Sequence, residues 1–305
     1  MFTGRWFLAV LLCVVFSRCA NGEDRLVCCG GEEVFVVSLT ANAQLEDVDR
    51  VWRWTAADSP EIPEDLRPKF RTTDDCKPAA DTILITSSSG GVALVKRSDK
   101  KCLFYTLATN AHSACRLPKQ RLAVASSYGG DALLIFALEK SGVEIEPLAT
   151  LKLPGAHGAL WDHERQRIWA LGDHELLLVE VQDGAEHVTL QVQERWKLPS
   201  AGGHDLMPGR DAKSLFVTTN TAVYRFDTQE FKFEPFLPLA TAKGIKSIDE
   251  HPETGRVVYH QADAARDVWW SDKIRLLEPQ RTITVVDERL YKVRWDVERG
   301  ANERE

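Results

Sequence analysis

The chain has 305 residues, 44% of them hydrophobic and 27% charged, with a formal net charge of −7. That composition is globular, and the length suits one large all-β domain or two smaller ones. Lys and Arg are scattered through an acidic chain, which excludes a nucleic-acid footprint, so no nucleic-acid partner is expected.

The first 22 residues read as a signal peptide. Arg5 supplies the positive charge, Trp6 to Phe16 the apolar run, and Ala20-Asn21-Gly22 the small residues for a cut after Gly22. The run is too short for a transmembrane anchor. Cys19 raises a lipoprotein reading, but Phe16 and Arg18 before it fit one poorly, so the mature chain is expected to be secreted or periplasmic. Cys28, Cys29, Cys76, Cys102 and Cys115 remain after the cut. Export permits a disulfide. Cys28 and Cys29, adjacent on an apolar strand, read better as small buried hydrophobes.

From Leu26 onward the pattern is short strands broken by turns: Leu26 to Cys29, Val34 to Val37, then the alternating Val51-Trp52-Arg53-Trp54. Ser59 to Pro68, rich in proline and charge, reads as a surface loop. Thr82 to Thr86 turns at Ser87 to Gly91 and returns as Val92 to Val95, with Cys102 to Tyr105 outermost. The later units repeat this design, each opening on a related stretch. These are Asn110-Ala111-His112, Gly155-Ala156-His157, Gly202-Gly203-His204 and Gly244-Ile245-Lys246. The successive intervals from His112 to His157 to His204 to Lys246 are 45, 47 and 42 residues. A period in that range marks a propeller blade. No segment after the leader has sustained helical periodicity.

The expected architecture is an all-β, six-bladed β-propeller over residues 23–297, with 298–305 a disordered tail. The first unit has only three strands, and Leu290 to Trp295 is a strand to spare. It is expected to complete the first blade and close the ring, removing edges that would template aggregation. Seven blades remain the alternative if residues 55–75 hide a degenerate one.

The Gly-His pairs followed by a turn and a strand resemble WD40-type and related bacterial propellers, though the Trp-Asp signature is mostly missing. The run Asp75-Cys76-Lys77-Pro78, Ser88 to Val95, Asn110 to Ala114, Gly155 to Gly158 and Trp169 to Gly172 is similar to a family of exported bacterial propellers of unknown function. That resemblance implies fold and export, and no mechanism.

In WD40 repeats the His of the Gly-His pair ties its blade together. Here His112, His157, His204 and Lys246 precede Arg121, Arg167, Ser214 and Arg256 by only 9 or 10 residues. A tight turn uses about four of these, which puts the His in or at the start of the inner strand, lining the channel. The candidate catalytic residues are therefore His157, His204 and His112, because imidazole is the usual acid or base near neutral pH. Lys246, Lys77 and Asp205 are the candidate substrate-binding residues, with Asp205 and Asp249 placed to orient imidazoles. His112, His157 and His204 are also the ligands if a divalent metal is the cofactor. His163 and His251 read as solvated turn residues. Trp161, Trp169, Trp269 and Trp270 read as inter-blade core.

Two functions follow. One is a carbohydrate-active lyase or hydrolase working on an anionic substrate at a His/Lys-ringed channel mouth. The other is a non-catalytic propeller that binds a glycan or a protein partner there.

Overall fold

Leu26 and Cys28 face one way and Val27 and Cys29 the other, yet all four are fully buried. An antiparallel strand covered on both sides needs a neighbour on each, and the chain supplies neighbours by repetition. The computed structural model describes residues 24–39, 49–185, 187–211 and 213–299. The leader lies outside the described residues, as do the last six residues of the expected tail.

Six four-stranded antiparallel sheets form a six-bladed propeller. Blade 1 holds Arg25–Gly30, Glu33–Ser38 and Arg50–Trp54. The innermost strands of blades 2 to 6 are Thr73–Ala79, Ala111–Leu117, Gly158–Asp162, Asp205–Pro208 and Ile245–Glu250. The inner strand of blade 1 is Lys292–Trp295, which pairs antiparallel with the first strand through Leu26↔Trp295 and Cys29↔Lys292. The expected closure is present. It is reinforced by Arg97 of blade 2, whose guanidinium donates to both carboxylate oxygens of Asp296 at 2.7 and 2.6 Å.

The apolar core is six clusters, one at each contact between blades. Val27 and Val36 of blade 1 meet Ile83 and Val95 of blade 2. Leu26 and Phe35, on the opposite face, meet Val258 and Ile274 of blade 6. Ala123 and Ile135 pack on Ile168 and Val179 between blades 3 and 4. Trp169, as the sequence indicates, is inter-blade core, wedged against Phe226 of blade 5. Cys28 and Cys29 point into different clusters. All five described cysteines are buried thiols with no disulfide.

Residues 55–75 hold no seventh blade. They contain two short 3-10 helices, Ala56–Asp58 and Glu64–Phe70, before the inner strand of blade 2 begins. The stretch read as a surface loop is anchored: Ile62 and Phe70 are buried, and Phe70 meets Trp54 edge-on at 5.6 Å. His251 is likewise not a solvated turn residue. Its ring packs on Trp295 at 5.1 Å, and its Nδ1 accepts from the backbone of Glu253 and Thr254. At the other end, Arg299 donates to Asp249 and to the Glu250 carbonyl, so the ordered chain runs past 297.

A chain ending at Arg289 is expected to lose its cooperative melting transition, because blades 1 and 6 would keep unpaired edges and an open seam. A melt matching the full-length protein would contradict ring closure.

Candidate functional site

The inner strands carry the candidate residues, and a repeated distortion aims them. In blades 2, 3 and 6 the pairing of inner and second strands slips by one residue, between Thr73 and Asp75, Ala111 and Ser113, and Ile245 and Ser247. The extra residues are Asp74, His112 and Lys246. Such a bulge leaves one residue out of the ladder and re-aims its side chain. In blades 4 and 5 the equivalent residues are His157 and His204. They precede the strand proper, and their N–H groups donate to Leu171 and Thr218 carbonyls.

Two residues before each of the four repeat positions the backbone turns left-handed: Asn110 at φ 51°, Gly155 at 57°, Gly202 at 79° and Gly244 at 68°. Glycine and asparagine tolerate that conformation best. The turn exposes a carbonyl, and the imidazole returns to it. His112 Nδ1 lies 3.0 Å from the Asn110 carbonyl and His157 Nδ1 2.7 Å from that of Gly155. An N–H donated there leaves Nε2 of each ring as the basic nitrogen.

The side chains converge. Ring centroids of His112 and His157 are 4.3 Å apart, and those of His157 and His204 are 5.2 Å apart. Lys246 Nζ is 3.0 Å from His204 Nε2, which also lies 2.7 Å from Asn220 Oδ1. One nitrogen cannot accept from the first and donate to the second at once. His204 Nδ1 has no partner. Asp74 Oδ1 completes the row, 3.6 Å from His112 Nε2. Nothing in the residue pattern singled Asp74 out, because its blade lacks the Gly-x-His signature.

Burial sets the charge of this row. It pulls His112 down to about 4, and pulls His157 and His204 well below the usual imidazole range, with the neighbouring charges of His112 and Lys246 adding to it. Burial lifts Asp74 to about 7 and, with Lys292 nearby, lowers Lys246 to about 8. At neutral pH the row is three uncharged imidazoles with one ammonium at the Lys246 end and, at the other, the Asp74 carboxyl close to its own midpoint. Among the described residues, Lys246 has no carboxylate partner, and its one side-chain bond is to His204.

Two aromatic side chains stand at this mouth. Tyr128, 55% exposed, meets the His157 ring edge-on, and Trp269, 45% exposed, meets Tyr291, which in turn contacts His112. Trp269 is thus at the mouth rather than in the core. Trp161 is half-buried on the opposite side of the propeller, and Trp270 lies between the guanidiniums of Arg266 and Arg289.

Beneath the row the channel is filled. Arg294 donates to Asp205 at 2.7 and 2.6 Å and to Asp75 at 3.0 Å. Lys292 lies 3.1 Å from Asp205 and 3.6 Å from Asp75. All four side chains are at most 1% exposed. Burial alone would raise both carboxyls; Arg294 and Lys292 outweigh it and hold them below the usual range.

This corrects three expected placements. Asp205 orients no imidazole and belongs to the buried plug, while Asp249 accepts from the Trp295 N–H and Arg299. Lys77 is not in the row either. It lies further along its strand, donating to Ser113 Oγ at 2.9 Å and the Ala159 carbonyl at 2.7 Å. As for a metal, no group of three or more His, Cys, Asp or Glu among the described residues is placed to hold one. The His112 and His157 rings meet at a tilt and those of His157 and His204 edge to face, and His204 Nε2 is turned to Asn220 and Lys246.

A model described as "Family of unknown function (DUF6528)" matches residues 32–302. The chain belongs to that family. No curated protein matches it. Two crystal structures share the fold of this family member. One is a protein of unknown function from Bacteroides caccae, with TM-score 0.59, 10% identity, 90% of this chain and 98% of that one covered. The other is a protein from Lactobacillus plantarum, with TM-score 0.58, 12% identity, and 90% and 99% covered. At such identities the likeness concerns the fold alone.

Two measurements check the electrostatics of this family member. Arg294→Met removes the cation that bonds both Asp75 and Asp205, leaving Lys292 and, beside Asp75 alone, Lys77, and should cost about 3–5 kcal/mol in denaturant unfolding. The buried imidazoles, with His260 pulled down by burial to about 3, take up no proton until well below the pH at which the unfolded chain does. Their contribution is present above about pH 6.5 and lost as pH falls toward 4. Asp74, Asp249 and Glu288, raised by burial, work in the opposite sense over part of that range, while His163 and His251, lowered by it, add to the four imidazoles. The melting temperature should therefore fall between pH 7 and pH 5; an unchanged or rising value would contradict neutral buried imidazoles.

Proposed function

We propose that the mouth ringed by Asp74, His112, His157, His204 and Lys246 binds an acidic carbohydrate, and that the protein is a lyase or hydrolase acting on it. The observation that carries this reading is Lys246, a partly buried ammonium without a counter-ion, beside the row of neutral imidazoles. A ligand carboxylate would supply the missing partner. The plug below adds to the pull, since Lys77, Lys292 and Arg294 outnumber Asp75 and Asp205. Tyr128 and Trp269 offer exposed faces for sugar rings.

For a uronate the chemistry is an elimination. Lys246 neutralises the carboxylate and so acidifies the hydrogen on the adjacent carbon. The Nε2 of His157, at the centre of the row, takes that proton. The electron pair forms a carbon–carbon double bond, the bond to the glycosidic oxygen breaks, and that oxygen leaves with a proton. Asp74, raised to about 7, supports the role of donor. The leader-like first 22 residues support placing the mature protein outside the cytoplasm, where such polymers are met.

A specific observation favours the second reading, a glycan-binding propeller without turnover. The imidazoles are 2–8% exposed, and those of His112 and His157 are tied to backbone carbonyls. His157→Ala and His204→Ala therefore break buried contacts, to the Gly155 carbonyl and to Asn220 Oδ1. Loss of buried partners should cost about 1–3 kcal/mol in each.

The test is calorimetry and product detection with acidic oligosaccharides such as oligogalacturonates and alginate fragments. Lys246→Met should weaken binding about tenfold or more, as loss of one charged contact does. Trp269→Ala should weaken it without altering the melt. Unsaturated product from the wild type, and none from a folded His157→Ala that still binds, supports the lyase. Binding without product supports the glycan-binding module, and no binding of any acidic saccharide overturns both.

A further inference from the structure

The opposite end of the channel holds a second feature, untouched by the proposal above. Where the inner strands finish, a cavity of about 530 Å³ opens, within the usual size of small-molecule sites. Its lining includes Lys77, Arg116, Trp161, Pro208, Asp249 and Arg294. The row of imidazoles sits at the beginnings of the same strands, and the buried Asp75–Arg294–Asp205–Lys292 plug separates the two. A ligand in one cannot be the ligand in the other.

The cavity differs from the protein around it. The chain carries a net charge of −7. The cavity is lined by five cationic side chains, Lys77, Arg116, Arg210, Arg294 and Arg299, against three acidic ones, Asp162, Glu164 and Asp249. Most of the acids are already engaged. Asp162 accepts from Arg165 and from the Trp169 indole, and Asp249 from Arg299. Arg116 and Arg210 are not engaged. Among the described residues neither guanidinium makes an ion pair or side-chain hydrogen bond. The walls between them are apolar, built from Trp161, Trp295, Met207 and Pro208. The Trp161 indole N–H is buried without an acceptor, an unpaired donor in the wall.

We infer that this cavity is a binding site for an amphipathic anion, an apolar ring or chain carrying one carboxylate. The carboxylate lies between Arg116 and Arg210, whose planar forks suit it, and the apolar body lies against Trp161, Met207 and Pro208. Lys77 and Arg294 at the floor raise the potential without being free to bind, since each is held by the plug. The residue expected to bind substrate at the ringed mouth, Lys77, thus helps to set the charge of a different site.

The experiment is titration calorimetry of the intact protein with 2-naphthoate and decanoate, each beside its neutral counterpart, 2-naphthol or decanol. At least one acid should bind, and bind at least about tenfold more tightly than its neutral analogue, the size of one charged contact. Arg116→Gln and Arg210→Gln remove guanidiniums with no partner among the described residues, so the melting temperature should hold while the double variant loses that preference. Lys246→Met, at the other mouth, should leave it intact. Failure of both acids to bind, equal affinity for acid and neutral partner, or indifference to the double arginine variant would each overturn the inference. Loss on Lys246→Met instead would move the anion to the ringed mouth, and so overturn this site while leaving the earlier proposal standing.

Discussion

Arg294 is the interaction on which the ring depends. It is carried by the strand that closes blade 1, and it reaches the carboxylates of blade 2 and, across the channel, of blade 5. The remaining blades join through smaller contacts. Ser113 of blade 3 donates to Asp75, Lys77 reaches the Ala159 carbonyl of blade 4, and Asp205 accepts the Ile248 N–H of blade 6. Six sheets that otherwise touch only their neighbours thereby share one polar centre. An apolar channel of the same shape would be no less stable in principle, since buried ion pairs repay their desolvation poorly. What the ion pairs supply is register. The C-terminal strand can seat only where Arg294 meets both aspartates.

The same centre divides the propeller into two unlike mouths. On one side bulges and left-handed turns gather neutral imidazoles around a single ammonium, framed by exposed aromatic rings. On the other the strands end in a cavity with apolar walls and two unpaired guanidiniums. Counting Lys77 beside the plug, three cations outnumber Asp75 and Asp205 at the centre, so the potential on both sides leans positive. Buried imidazoles line one side and hydrocarbon much of the other.

Much of this was legible in the sequence. The spacing of His112, His157, His204 and Lys246 carried the blade count and the convergence, and Leu290 to Trp295 announced closure because the first unit lacked a strand. The rest was hidden for physical reasons. Lys77 stands five residues before Thr82, where His112, His157, His204 and Lys246 stand 9 or 10 before their second strands. Its charge and not its spacing recommended it, and the residue at the mouth is Asp74, left out of the ladder by the slip between Thr73 and Asp75. The partners of Asp205 are Lys292 and Arg294, far away in the chain and on a strand otherwise read only as an edge cover. Trp269 looked like core by residue type, yet it stands in a loop between strands, where only the folded chain shows that nothing covers it.

The pairing of Leu26 with Trp295 also governs how the protein is made. As the chain emerges, Arg25–Gly30 has one partner, Glu33–Ser38, and its other edge must wait until nearly all the described residues have been synthesised. That waiting edge reads Leu-Val-Cys-Cys, apolar and uncharged, the kind that joins foreign strands on contact. Until the far end arrives, the nascent protein depends on whatever holds it apart from its neighbours.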